Sequence, residues 1–172
     1  MLLDIVTYPA PLLAISSEPV CEITGEIRAL AADMFETMYA SRGVGLAAPQ
    51  VGRPLRILVM DAGQKDKQPA PRVFVNPVLV LLGDEIVSEQ EGCLSVPLNY
   101  RADVLRSSSV FLRARDLDGN DIAQELSGFS AIVLQHEADH LDGLLFIDHI
   151  SRLRRTLYDS KVKKWLTSKN DA

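Results

Sequence analysis

One stretch, Gln135-His136-Glu137-Ala138-Asp139-His140, constrains this chain more than any other. The four-residue step between the histidines puts both imidazoles one turn apart on the same face of a helix. Glu137 lies about 100° further round, beside the histidines without sharing their position. This is the H-E-x-x-H arrangement of two nitrogen ligands and a carboxylate able to move protons. Phe129, Ile132, Val133, His136 and His140 follow helical spacing, so the histidines continue an apolar stripe. Inward-facing histidines need partners, because unsatisfied buried polar groups cost free energy. A metal meets that need, and so would a pair of hydrogen-bonded core histidines.

The chain has 172 residues, 47% hydrophobic and 24% charged, which describes one ordinary globular domain over residues 1–172. No apolar run approaches the ~20 residues of a membrane span. The opening residues Met1-Leu2-Leu3-Asp4 lack a basic targeting region and read as mature structure. Cys21 and Cys93 are too few for a disulfide scaffold. A single disulfide between them is chemically allowed, but a reducing cytoplasm is the better expectation. The net charge of −5 hides an asymmetry: from Ser151 onward there are seven basic and two acidic residues, a net of +5. That tail either meets an anionic partner or is the solvated face of a terminal helix.

Along the chain, the prolines of Tyr8-Pro9-Ala10-Pro11 favour extended or turning backbone. Thr24 is expected to cap an amphipathic helix over residues 25–40, with Ile27, Leu30, Ala31, Met34 and Met38 inward. Cys21, between Val20 and Ile23, reads as a small buried hydrophobe. The dense glycines of Gly43-Val44-Gly45-Leu46-Ala47-Ala48-Pro49-Gln50 lack Gly-Lys-Ser/Thr, which excludes a Walker loop and indicates close backbone approach. Strands are expected at 56–61, at 73–82 with a bulge or edge at Asn76-Pro77, as a short piece at 85–90, and at 109–115. Residues 63–71 read as a surface loop. Asp118-Gly119 turns into a strand at 122–126. Gly143 closes the histidine helix, and Ser151 caps a last one with Leu153, Leu157, Val162, Trp165 and Leu166 inward. The expected class is α+β: antiparallel β-sheets wrapped around a central metal-binding helix, with an N-terminal and a C-terminal helix.

Two histidines rarely hold a catalytic metal alone. His149 lies beyond the helix stop. The longer H-E-x-x-H-x-x-G-x-x-H pattern fails at Phe146, and no glutamate follows Ser151. Cys93, in Glu91-Gly92-Cys93-Leu94-Ser95, completes a thiolate–imidazole–imidazole set that leaves a fourth position open, as catalytic sites do.

Gly43-Val44-Gly45-Leu46-Ala47-Ala48-Pro49-Gln50, Glu91-Gly92-Cys93-Leu94-Ser95 and Gln135-His136-Glu137-Ala138-Asp139-His140 together resemble the three motifs of peptide deformylases, in order and over nearly the whole chain. The resemblance implies removal of the N-formyl group from the initiator methionine of new polypeptides. It implies Cys93, His136 and His140 as metal ligands, Glu137 as acid–base, and Gln50 with the Leu94 N–H as oxyanion donors. Gly45, Gly92 and Arg101 would meet the substrate backbone, and Val44, Phe129, Ile132 and Val133 would line the methionine pocket. It implies one divalent ion, Fe(II) in the native enzyme, with nickel or zinc able to occupy the site. The expected partners are formylmethionyl nascent peptides and, through the basic last helix, the ribosome. DNA, membrane and a second subunit are not expected. The competing readings are a metallo-endopeptidase built on the same helix and a binding module with a degenerate site.

Overall fold

A computed structural model describes residues 1–63 and 68–170 of the chain. Residues 64–67 of the expected 63–71 loop lie outside the described residues. Helix α1 spans Gly25–Ala40, and Thr24 Oγ1 accepts the Ile27 N–H at 3.4 Å. The anticipated stripe of Ile27, Leu30, Ala31, Met34 and Met38 is buried. The helix stops where Arg42 turns left-handed (φ 57°) and the Gly43 N–H reaches Met38 O at 2.8 Å.

The strands are β1 (Gly45–Ala47), β2 (Ile57–Met60), β3 (Arg72–Glu91), β4 (Ala102–Arg115) and β5 (Asp121–Ser127). Among the described residues they form one five-stranded antiparallel sheet in sequence order, not several sheets. The two strand pieces expected at 73–82 and 85–90 are a single strand of 20 residues. Register shifts at Val75/Val78, Leu82/Glu85 and Ser88/Glu91 break its regularity. Each shift adds a local bend and twist, so a sequence that reads as interrupted builds one curling strand. The first shift is the bulge anticipated at Asn76-Pro77. There Asn76 turns left-handed (φ 51°) and its amide bonds both the N–H and the C=O of Val20 at 2.8 Å. Val20 is thereby fixed inward, and Cys21 faces solvent instead of the interior expected for it.

Helix α2, Gly128–Leu141, is the centre about which the sheet curls. Ala131, Val133, Leu134 and Leu141 enter a cluster with Leu58, Phe74 and Leu112 of β2, β3 and β4. Gly143 closes the helix with φ 74°, and an added Cβ there would lie 2.8 Å from the Ala14 backbone.

Helix α3, Arg152–Asn170, departs from its expected face. Val162 is buried and Trp165 and Leu166 pack partly against the core, but Leu153 and Leu157 are exposed. The buried anchor is Tyr158, whose ring lies 4.4 Å from Tyr100 and whose hydroxyl donates to Pro97 O at 3.1 Å. An aromatic with a satisfied hydroxyl outcompetes two leucines for this face. Among the described residues no helix is long and apolar enough to cross a membrane.

Tyr158→Ala should lower unfolding free energy by roughly 3–5 kcal/mol, as aromatic truncations in cores do. Leu157→Ser should stay within about 0.5 kcal/mol, the usual range at the surface. Urea unfolding of the two variants distinguishes this helix face from the one the leucine spacing predicts.

Candidate metal centre

Three segments meet at one point. Helix α2 supplies His136 and His140, the turn after β3 supplies Cys93, and the turn after β1 supplies Gln50. Ligand atoms of Cys93, His136 and His140 all lie within 4.8 Å of one another. Cys93 Sγ is 3.3 Å from His140 Nε2. Both histidines are buried and Cys93 is half-buried. His136 Nδ1 donates to Glu91 Oε1 at 2.6 Å, which leaves its Nε2 as the atom available to a metal. A thiolate and two imidazoles form a donor set suited to zinc or ferrous iron.

The fit to a cation is also electrostatic. Burial alone would lower His136, but the Cys93 and Glu91 hydrogen bonds raise its pKa well above the usual value. The groups that favour a charge on that ring favour a cation in the same place. Burial, and then the positive charge of His136, push His140 well below its usual value and keep it neutral, as a ligand must be.

Glu137 is buried, and burial pushes its carboxyl up to about 7. Among the described residues its Oε2 has no hydrogen-bond partner. The other oxygen rests on Gly45, where a Cβ would fall 2.3 Å from Oε1. Only glycine leaves room for the carboxylate, which explains the close approach that the glycine-dense segment indicated.

The 3-10 turn Ala48–Val51 carries Gln50. Its Oε1 accepts the Ala47 N–H at 2.8 Å, so the amide nitrogen faces the site. There Nε2 donates to Ser95 Oγ at 3.1 Å and to Cys93 Sγ at 3.4 Å. The Ser95 N–H also points at Cys93 Sγ, at 3.4 Å.

A cavity of about 400 Å³ opens onto these atoms. Val44, Gly45 and Gln50 form one wall, and Gly92, Leu94 and Arg101 form another. Phe129, Ile132 and Val133 of α2 line it together with His136 and Glu137. Every residue singled out from the sequence therefore borders the cavity except His140, which lies behind it, nearly fully buried. Arg101 crosses Gly92 and donates to Gln90 O at 3.2 Å.

Sequence reasoning missed the support behind the ligands. Arg106 is buried and holds Glu91 through Nη2 to Oε1 at 2.5 Å and Nε to Oε2 at 3.3 Å. Its Nη1 reaches Asp139 Oδ2 at 2.6 Å, which also accepts from His149 Nε2 at 2.8 Å. His149, considered above as a ligand, instead ends this chain of hydrogen-bonded groups. Burial would raise the Glu91 pKa, but His136 and Arg106 outweigh it and hold the carboxyl at about 2. The overlooked signal was Arg106 itself, a charged residue on the strand face that buries Ala102 and Val104.

Such a fold and site define a metal-dependent hydrolase with an H-E-x-x-H helix and a cysteine beside its two histidines. The sequence model of the polypeptide deformylase family matches residues 2–156. A peptide deformylase of Caulobacter vibrioides is 49% identical over 148 residues, 86% of this chain and 85% of that one. One of Desulfosudis oleivorans is 48% identical over 162 residues, 94% and 93% of the two chains. The crystal structure of peptide deformylase from Ehrlichia chaffeensis superposes with a TM-score of 0.90 at 36% identity, covering 98% of this chain and 99% of that one. The chain belongs to the polypeptide deformylase family. It is an enzyme that removes the N-formyl group from the N-terminal methionine of newly synthesised polypeptides.

Glu91→Gln should weaken metal affinity by about 10- to 100-fold, the usual consequence of losing a histidine's carboxylate partner. Competition with a chelator measures the change.

Proposed function

We propose that Cys93, His136 and His140 hold one divalent ion and that Glu137, Gln50 and the Leu94 N–H carry out deformylation around it. The observation that carries this reading is the convergence of one thiol and two imidazoles within 4.8 Å, beside a buried carboxylate with an unpartnered oxygen. A bound divalent ion supplies positive charge that lowers the pKa of a coordinated water toward neutrality and polarises the formyl oxygen.

Glu137 takes one proton from the attacking water as the new C–O bond forms at the formyl carbon. A carboxyl that burial pushes up to about 7 suits a group that must hold and release a proton near neutrality. Glu137 then delivers that proton to the methionine nitrogen as the C–N bond breaks, leaving formate and a free amine. Gln50, its Oε1 held by the Ala47 N–H, keeps Nε2 at the site, and the N–H that points at Cys93 Sγ swings to the reacting oxygen. Val44, Phe129, Ile132 and Val133 take the methionine side chain. Gly45 and Gly92 let the peptide lie alongside as an added strand, with Arg101 at the rim.

One chain supplies every group in this scheme, so a single copy is a complete enzyme. Residues 1–172 act as one catalytic domain, a reading supported by buried clusters that share the sheet and the central helix. The thiolate–imidazole set accepts zinc or ferrous iron, and the family resemblance favours Fe(II) as the native ion. Both cysteines are free, in keeping with a reducing cytoplasm where nascent chains emerge.

Glu137→Gln should retain the metal and lose at least ~10²–10⁴ of the rate, the range for general acid–base catalysis. Formate release from formyl-Met-Ala-Ser, with the acetylated peptide and an internal peptide bond as controls, measures it. Cleavage of the internal bond at a comparable rate would restore the endopeptidase reading. Protein purified without oxygen should contain iron and lose activity in air, since an exposed metal thiolate oxidises. Metal analysis paired with formate release before and after exposure checks both points.

A second reading concerns α3. Leu153 and Leu157 stand exposed one turn apart, among the exposed Arg152, Arg154 and Lys161. This basic and apolar face fits docking on ribosomal RNA and protein. Co-sedimentation with ribosomes should fall as salt rises and should drop further for Leu153→Ser with Leu157→Ser.

A further inference from the structure

Strand β3 is only half bordered. Strand β2 accompanies one side as far as Val75, whereas β4 follows the other side to Glu91. Among the described residues no strand pairs with the β2-side edge from Val78 onward. Between the register shifts at Val75/Val78 and Leu82/Glu85 lies a regular run, Val78-Leu79-Val80-Leu81-Leu82, without a single charge. Val78, Val80 and Leu81 are 61%, 56% and 63% exposed. Edge strands of this kind are normally blunted by lysine, proline or a covering element, because their outward N–H and C=O groups pair with any available strand. Here the bulges and Pro77 delimit the run but leave it bare. It opens on a groove of about 570 Å³, lined by Leu79 and Leu81 of β3, Arg56 beside β2, and Ala138 and Asp139 on the back of α2.

We propose that this edge pairs with the same edge of a second copy of the chain, antiparallel, about a two-fold axis through Val80. The run is self-complementary about that residue. Pairing its full length sets Val80 opposite Val80, Leu79 opposite Leu81 and Val78 opposite Leu82. Directly opposed residues share a face, so four leucines gather over the groove and the valines with Leu82 gather on the reverse face.

Charge selects the direction. Asp84 and Glu85 follow one end of the run. At the other end Arg56 donates to Pro77 O at 3.4 Å and is anchored by Asp142 at 2.8 Å. A parallel pair would stack the two acidic ends, whereas the antiparallel pair brings each acidic end to the other copy's Arg56. The two-fold interface is closed and does not propagate into fibres. Five residues a side make a small interface, below about 1,200 Å², in the range of weak, transient association. Neither Val80 nor Leu81 borders the metal centre, and both active sites stay open.

Sedimentation velocity of the metal-loaded enzyme, from about 1 to 200 µM to span the affinities of small interfaces, should show a reversible monomer–dimer equilibrium. Val80→Lys should remain monomeric throughout with unchanged kcat/KM. In a Cys21→Ser background, Val80→Cys should form a disulfide-linked dimer with oxidised glutathione, because Cα atoms directly opposed across strands lie about 4.5–5.5 Å apart. Val87→Cys, on the same strand beyond the regular run, should not. A wild-type chain that is monomeric at the highest concentration overturns the proposal, even if the edge then binds a strand of another protein. A Val80→Lys variant that dimerises like wild type, or cross-linking at Val87 equal to that at Val80, also overturns it.

Discussion

The carboxylate of Glu91 joins the end of the longest strand to the central helix, and the metal centre depends on that join. One of its oxygens takes the His136 ring at 2.6 Å, and both take the Arg106 guanidinium. An isolated carboxylate at this depth would lose more in desolvation than it gains from any single partner. Two partners reverse the balance and hold Glu91 ionised. The same bond sets the His136 tautomer, turning Nε2 toward Cys93. Through Asp139 and His149 the hydrogen-bonded network continues across α2 to its far side. A catalytic helix buried on most faces is tolerable because every charge behind the ligands has a fixed partner.

The curl of β3 does the geometric part. A regular strand of that length is nearly straight, and would carry Cys93 past the helix rather than back to it. Three register shifts bend it, each costing ladder hydrogen bonds. Strand β2 is only four residues long and pairs with β3 no further than Val75, so the middle of the curved strand lacks a β2 neighbour on that side.

The close contacts around Glu137 follow the same logic. Gly45 and Gln50 come from a segment with little side-chain bulk, which allows β1 to lie against α2. The Gln50 amide is fixed by a local bond to Ala47, three residues away, so its orientation is decided within one turn of chain. Its aim at Cys93 is decided by the sheet.

What could be read directly was local. The spacing of His136 and His140, the cap at Thr24, the turn at Asp118-Gly119 and the bulge at Asn76-Pro77 each depend on a few neighbouring residues, whose propensities survive folding. Cys93 was found by excluding other donors, and the three motifs together carried the family resemblance. Pattern reading failed where side chains compete for one surface. Leu153 and Leu157 lost the inner face of α3 to Tyr158, and Cys21 lost its place to Val20 once Asn76 had pinned the backbone. Asp139 and His149 showed no periodic signature, and Arg106 stood out only as a charge at an inward strand position, because their value lies in partners distant in sequence. Composition and spacing determined which chemistry this chain can perform. Only the packed structure decided which charges stand behind it, because the energy of a buried ion depends on what surrounds it in space and not on its neighbours along the chain.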